Sequence, residues 1–152
     1  MSGAVLKKRP QSVLFACSFN AVRSPMAEAL ARHQFGRDIF IASVGVRPGQ
    51  LDPFAAAAME EIGIDISKHK PRVFDDLEDE SFDMIVSLSP EAHHSALEYT
   101  RTMASDVLYW PTIDPTAVQG SRDQMLDAYR NVRDGLETRI MDLLSWQNSG
   151  GG

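Results

Sequence analysis

The chain has 152 residues, 43% of them hydrophobic, which is enough for one full core and predicts a single domain. A net charge of −6 argues against nucleic acid or an anionic membrane as a general partner. The single cysteine excludes an intrachain disulfide and suits a reducing, cytoplasmic compartment.

The domain is predicted to span residues 11–146, because the periodic and apolar segments lie between these limits. Residues 1–10 form a short basic lead without periodicity, and residues 147–152 form a polar tail. No segment approaches the roughly 20 apolar residues of a membrane span, and no signal peptide is visible. We therefore expect no membrane partner.

The first unit of the chain is predicted to be a strand, a loop and a helix. Residues 13–16 (VLFA) are apolar and rich in strand formers. Ser24 is expected to cap the helix, Pro25 to occupy its first position, and Glu28 to lie in its first turn. One apolar face follows at helical spacing, formed by Ala27, Leu30, Ala31 and Phe35.

The loop between strand and helix, residues 17–24 (CSFNAVRS), carries the only cysteine. A loop over a helix N-terminus directs backbone N–H groups at one point and binds oxyanions there. That field and Arg23 favour the thiolate of Cys17, which is the nucleophilic form. Arg23 can grip two oxygens of a phosphate-like group, and Ser24 can donate a hydrogen bond to the sulfur. The alternative interpretation is a buried structural thiol.

Residues 13–30 (VLFACSFNAVRSPMAEAL) resemble the phosphate-binding loop of the low-molecular-weight protein tyrosine phosphatases and of their relatives, the thiol-dependent arsenate reductases. The resemblance implies that Cys17 is the nucleophile, Arg23 the anion-binding arginine, Ser24 the thiolate-stabilising serine and Asn20 the loop-bracing asparagine. The substrate-binding residues it implies are Ser18, Phe19, Asn20, Ala21, Val22, Arg23 and Ser24. The sequence departs from the family at Phe19, usually glycine, and at Val22, often a second cysteine in the phosphatases.

Further along, residues 39–43 predict a second strand, followed by a turn-prone segment over residues 44–49. Asp52 and Pro53 start a helix that is expected to reach Ile62 and stop at Gly63. Nothing catalytic is assigned to this helix. In the basic segment that follows, His69 is interpreted as structural or solvated rather than as a substrate contact. Residues 75–80 hold five acids and indicate a solvated face.

Two more strand–helix units complete the chain. Residues 82–88 predict a strand, and residues 90 onward predict a helix capped by Ser89. His93 and His94 lie next to each other on this helix, so they do not share a face and cannot act together as metal ligands. Residues 107–110 predict the fourth strand. A capping box over residues 121–124 starts the longest helix, which is expected to end at Trp146. Its packing stripe consists of Met125, Tyr129, Val132, Leu136, Ile140 and Leu143.

The order βαβαβαβα predicts an α/β fold, a three-layer αβα sandwich around a four-stranded parallel sheet, as in the flavodoxin-like low-molecular-weight phosphatase fold. Sites in such folds lie beyond the carboxyl ends of the strands. Asp114 follows the fourth strand at that end, and the family carries its general acid in a similar Asp-Pro dipeptide. The resemblance therefore assigns the acid to Asp114; the alternative is an ordinary Asx turn before Pro115. Neither a metal nor another cofactor is expected.

The function expected from this resemblance is hydrolysis of phosphotyrosine or other aryl phosphomonoesters through a cysteinyl-phosphate. The family's aromatic residues after Asp-Pro are replaced here by Thr116 and Ala117, with Phe19 and Tyr109 as possible substitutes. The alternative is an arsenate reductase. A relay through further cysteines, one of which would fall near Ser89, is impossible with Cys17 alone, so an external thiol such as glutathione or mycothiol would be needed. A phosphocysteine phosphocarrier and a pure phosphoryl-binding module also stay open.

Overall fold

A computed structural model of the protein describes residues 9–145. Residues 1–8 and 146–152 lie outside the described part, and with them most of the predicted basic lead, the whole polar tail and Trp146 as the last helical residue. The domain limits of 11–146 stay a prediction for the same reason. Within the described part, no helix is long and apolar enough to cross a membrane.

Four strands form one parallel sheet in the order β2-β1-β3-β4. In chain order they are β1 (Ser12–Cys17), β2 (Phe40–Gly45), β3 (Met84–Ser87) and β4 (Asp106–Tyr109). The helices that follow them are α1 (Arg23–Phe35), α2 (Pro53–Glu60), α3 (Pro90–Tyr99) and α4 (Arg122–Leu144). Two short 3₁₀ turns cover Phe74–Leu77 and Pro115–Ala117. The predicted α/β class and parallel sheet are confirmed.

Helices cover both faces of the sheet, and the side chains of β1 alternate between the two faces. Val13 and Phe15 of β1 pack in the core that contains α1, α2 and α4. Leu14 and Ala16 pack on the opposite face against α3. The continuous apolar run in β1 is thus a strand buried on both sides, and the three-layer arrangement follows from it.

The strand limits differ from the predicted ones by one to two residues. Strand β2 starts at Phe40 and continues to Gly45, because it pairs with β1 along its whole length as far as Cys17. Strand β3 is shorter than residues 82–88, since Phe82 and Leu88 are buried but lie outside the ladder. Strand β4 ends at Tyr109, one residue earlier than expected.

The start of α1 corrects three predictions. The helix begins at Arg23, with Val22 at the N-cap and no side-chain cap hydrogen bond. Ser24 is therefore not the cap, and Pro25 is the third helical residue rather than the first. The Ser24 hydroxyl contacts the Cys17 sulfur, as predicted. Glu28 consequently lies beyond the first turn and pairs with Arg32. The predicted apolar face of the helix, residues 27, 30, 31 and 35, is buried as expected.

The other helix starts follow their capping signals. Asp52 accepts a hydrogen bond from the Phe54 N–H at 2.8 Å, Ser89 accepts from Ala92, and Ser121 caps α4 in a capping box with Gln124. Helix α2 ends at Glu60, before the predicted Ile62, and the chain turns through Gly63 at φ +80°. The stripe of α4 is buried apart from Met125, which is half-buried.

Candidate functional site

The candidate site lies at the carboxyl edge of the sheet. Cys17 is the last residue of β1 and pairs with Gly45, the last residue of β2. A short loop, residues 18–22, leads directly into α1, so the predicted eight-residue loop is shorter than expected. The cysteine is therefore held between the end of a central strand and the N-terminus of a helix, where backbone N–H groups lack helical partners.

Ser24 supplies two contacts to the Cys17 sulfur. Its hydroxyl oxygen lies 2.9 Å from Sγ, and its backbone N–H donates to Sγ at 3.4 Å. The thiol is 2% exposed, at the base of a cavity rather than on the surface. Because a sulfur anion accepts hydrogen bonds and a serine hydroxyl can donate one, this geometry can stabilise a thiolate.

Asn20 connects the loop to the rest of the protein. It is fully buried and adopts φ +56°, a left-handed conformation that asparagine tolerates. Its amide nitrogen donates to the hydroxyls of Ser24 at 2.8 Å and of Ser43 at 2.9 Å. Its carbonyl oxygen accepts from the backbone N–H of Arg72 and lies 3.0 Å from His69 Nε2. The loop conformation is thus fixed by both ends of one side-chain amide.

The loop also lies against bare backbone at Gly45. A Cβ at this position would lie 2.6 Å from the Asn20 nitrogen and 2.6 Å from the Phe19 carbonyl carbon. No side chain fits there without moving backbone atoms. Gly45, in the predicted turn segment, is therefore required by the close approach of residues 17–24, which we call the anion loop after their predicted role.

His69 takes part in this network rather than in the cavity. Because the Asn20 amide nitrogen faces two hydroxyls, its oxygen faces His69, and His69 Nε2 donates to it. Burial lowers the pKa of His69 and outweighs the opposing carboxylate of Glu28. The interpretation of His69 as structural agrees with this position; its contact with the anion loop was not expected.

Arg23 extends towards the loop that follows β4. Its guanidinium is largely buried, and Nη1 donates to the Thr112 carbonyl oxygen at 3.0 Å. One hydrogen bond thus connects the first residue of α1 with the segment that carries Asp114. Guanidinium groups have five donors in a fixed plane, so this single contact leaves others for an oxyanion.

Cys17, Arg23 and Asp114 line one cavity of about 610 Å³. Cys17 and Asp114 are far apart in sequence but line the same cavity, because β1 and β4 end at the same edge of the sheet. Phe19, Ala21 and Val22 line the same cavity. The remaining residues of the predicted binding set do not: Asn20 and Ser24 are fully buried, and Ser18 donates its hydroxyl to Ser89 at 3.2 Å.

Asp114 forms the Asx turn that was its alternative interpretation, and its role as the general acid stays a prediction. Its Oδ1 accepts from the backbone N–H of Thr116 at 3.0 Å and from the Thr116 hydroxyl at 2.8 Å, which is an Asx turn. The residue is also exposed at the wall of the cavity. The turn holds one carboxylate oxygen, and this orients the side chain without removing it from the cavity.

The start of α2 contributes to the site, which the sequence did not indicate. Asp52, Pro53 and Phe54 line the cavity, and the Tyr129 hydroxyl donates to Asp52 Oδ2 at 2.7 Å. Burial and this carboxylate raise the pKa of Tyr129. Tyr129 was expected only to pack. The position of Asp52 after β2, at the same edge of the sheet as Cys17, is the one signal that could have suggested this.

Of the two aromatic residues considered as substitutes for the missing wall, only Phe19 lines the cavity. Tyr109 stacks on His93 with ring centroids 4.7 Å apart and is absent from the cavity wall. His93 also accepts or donates a hydrogen bond with the Ser87 hydroxyl, so it is occupied structurally. Among residues 9–145, no three His, Cys, Asp or Glu side chains form a group that could hold a metal ion.

Fold and site together define the class of protein: a three-layer α/β protein with a cysteine and an arginine around the first strand–helix loop. The chain belongs to the low molecular weight phosphotyrosine protein phosphatase family, whose model matches residues 12–149. Several of the proteins similar to this chain are arsenate reductases.

Three similar proteins illustrate the range of the family. A glutaredoxin arsenate reductase of Synechocystis is 29% identical over 136 residues, which cover 89% of this chain and 97% of the relative. A solved arsenate reductase in the phosphate-binding state has a TM-score of 0.75 at 29% identity, covering 89% and 97%. The AmsI tyrosine phosphatase of Erwinia amylovora has a TM-score of 0.75 at 20% identity, covering 93% and 95%, and shares the fold.

Proposed function

We propose that this protein hydrolyses aryl phosphomonoesters, such as phosphotyrosine in a protein, through a covalent cysteinyl-phosphate. One observation carries the proposal: Cys17, Arg23 and Asp114 line the same cavity, whose walls include the apolar side chains of Phe19, Leu51 and Phe54. A free oxyanion would leave most of such a cavity empty, whereas an aryl ester fills it with its ring.

In the first step, the Cys17 sulfur attacks phosphorus, a sulfur–phosphorus bond forms and the phosphorus–oxygen bond to the aryl group breaks. Arg23 and the loop amides hold the equatorial oxygens, where negative charge must be stabilised. Asp114 delivers its proton to the departing oxygen, so that the leaving group departs as a neutral phenol.

In the second step, the Asp114 carboxylate takes a proton from water as the water oxygen attacks phosphorus. The sulfur–phosphorus bond breaks, inorganic phosphate leaves and the thiolate of Cys17 is restored. The two contacts from Ser24 support this step, because they stabilise the charge that returns to the sulfur.

Arsenate reduction is the second candidate, and the Synechocystis relative, a glutaredoxin arsenate reductase, favours it. Reduction of arsenate to arsenite takes two electrons, which two thiols supply as they form a disulfide. This sequence contains one cysteine. Ser89, near which a relay cysteine would fall, carries a hydroxyl instead of a thiol and accepts a hydrogen bond from Ser18 of the anion loop. An external low-molecular-weight thiol or a thiol protein would therefore have to provide the second thiol, and the disulfide would form between that thiol and Cys17.

The test compares the two activities on one preparation. Turnover of an aryl phosphate is measured beside arsenite production from arsenate in the presence of glutathione, mycothiol or glutaredoxin. The proposal expects ester hydrolysis to dominate and to disappear in Cys17→Ser, which should still bind inorganic phosphate. Arsenite production with negligible ester turnover would replace the proposed hydrolase with the reductase.

A further inference from the structure

Phe19 is the one exposed residue of the segment 17–24, whose other residues are buried or half-buried. Its side chain is 47% exposed, whereas the following Asn20 is fully buried and Val22 is 6% exposed. It lines the cavity that contains Cys17. Every other aromatic residue described, from position 9 to 145, has a ring partner or a cation above it, and Phe19 has neither. An unpartnered ring beside the thiol is available for a ligand.

Gly49 packs against the Phe19 side chain and supports it from one side. A Cβ on Gly49 would lie 2.9 Å from the Phe19 Cβ and 3.1 Å from its carbonyl oxygen. The phenylalanine is therefore seated on bare backbone of the segment that follows β2. Both residues line the cavity, so Phe19 is supported from the wall of the site itself.

Phe54, the second ring in the cavity wall, is already engaged. It stacks on Tyr129 with centroids 5.4 Å apart, and the Arg122 guanidinium lies 5.4 Å from its centroid. The Phe54 ring therefore already has a stacking partner and a cation, whereas the ring of Phe19 has neither among the described residues. Thr116, which follows the Asp-Pro dipeptide, has no ring.

We infer that Phe19 is the specificity-determining residue of this site and provides the face on which the aromatic ring of the substrate stacks, with the edge of Phe54 as a second contact. The inference rests on the proposed function for its substrate class. Aromatic rings favour offset stacking and edge-to-face contacts, so the two phenylalanines are suited to different parts of one ring. The site therefore selects aryl over alkyl esters through the ring of Phe19, a residue of the anion loop.

Binding of two non-hydrolysable phosphonates tests this inference without any chemical step. Calorimetry would measure the affinities of benzylphosphonate and methylphosphonate, which share the anion and differ in the ring. The wild-type protein should prefer benzylphosphonate, and Phe19→Ala should weaken its binding roughly 5- to 30-fold, from the loss of ring burial and stacking. Methylphosphonate affinity should change less than about twofold, since the anion loop contacts remain.

Tyr109→Ala is the matched control, because Tyr109 is an exposed aromatic residue that stacks on His93 outside the cavity wall. It should leave the preference for benzylphosphonate unchanged. Gly49→Val is a second route to the same result: its side chain displaces Phe19 without removing the ring, and the preference should again fall. If Phe19→Ala does not fold, this variant carries the test.

Equal affinity of the wild-type protein for the two phosphonates would overturn the inference, as would a preference that survives both Phe19→Ala and Gly49→Val. Loss of the preference in Tyr109→Ala would also overturn it, because it would show that Tyr109 provides the stacking surface. The proposed hydrolysis fails separately, by absence of ester turnover in a protein that still prefers benzylphosphonate.

Discussion

The Ser24 hydroxyl lies 2.9 Å from the Cys17 sulfur, seven residues away along the chain. The same hydroxyl accepts a hydrogen bond from the buried Asn20 amide, so its one hydrogen can go to the sulfur at 2.9 Å or to the Val44 carbonyl oxygen at 3.3 Å. A residue that would cap a helix by its sequence position is instead directed at the sulfur of Cys17, the proposed nucleophile. The anion loop and the first turn of α1 thus form one unit.

Ser24→Ala should slow the second step of hydrolysis more than the first. A hydrogen bond to a charged group contributes roughly 1.5–3 kcal/mol, so kcat is expected to fall about 10- to 150-fold. Because the cysteinyl-phosphate then accumulates, rapid mixing with nitrophenyl phosphate should show a burst of nitrophenolate. Unchanged kcat, or a lowered kcat without a burst in a protein of unchanged thermal midpoint, would contradict this role.

Arg23→Lys should impair the enzyme severely although the charge is kept. The planar guanidinium donates to the Thr112 carbonyl and can still grip two oxygens of an oxyanion, whereas an ammonium cannot do both. We expect kcat/KM for an aryl phosphate to fall on the order of 10²-fold or more. Arg47→Lys is the control, because Arg47 pairs with Glu91 and does not line the cavity. Near wild-type activity of Arg23→Lys would mean that the guanidinium does not hold the anion.

The strand–loop–helix unit was predictable because its signals are local. An apolar run, a loop with cysteine and arginine, and an apolar helical face lie within 25 residues, and the capping signals of α2, α3 and α4 are equally local. The parallel sheet followed from the order of the elements. Strand limits depend on how far a neighbouring strand extends, which no single segment reveals.

Two contacts that support the site were not predictable, because they join distant residues. His69 bonds to Asn20 across 49 positions, and Tyr129 bonds to Asp52 across 77. Neither pair has a spacing that a sequence pattern could recognise. Ser24 was given two roles, because serine is suited both to capping a helix and to contacting a sulfur. The contact with Cys17 is confirmed, and the helix cap is wrong.

The link between α2 and α4 should depend on pH. Hydrogen bonds from Arg130 and Arg133 lower the pKa of Glu61 from 4.5 to about 2. A lowered pKa in the folded state stabilises the protein above pH 4.5, and the stabilisation disappears as the pH falls towards 2. Glu61→Gln should therefore lower the denaturation midpoint at pH 7, with a difference that shrinks below pH 4.5. Urea unfolding at several pH values measures this.

Glu60→Gln serves as the control for that experiment, since the neighbouring Glu60 is exposed and forms no ion pair within residues 9–145. It should leave the midpoint nearly unchanged at every pH. A midpoint difference for Glu61→Gln that stays constant from pH 7 to pH 3, or that Glu60→Gln reproduces, would show that the two arginines do not act through the Glu61 charge.

The leaving-group dependence of Asp114→Asn tests the proposed hydrolysis most directly. If Asp114 donates the proton, its loss should harm phosphotyrosine far more than nitrophenyl phosphate, whose phenolate departs with little help. General acid catalysis contributes on the order of 10²–10⁴-fold, so the ratio of the two kcat/KM losses should be large. Asp106→Asn, at the opposite end of β4, should change neither substrate. An equal loss on both esters would contradict proton transfer by Asp114 and the two-step hydrolysis built on it.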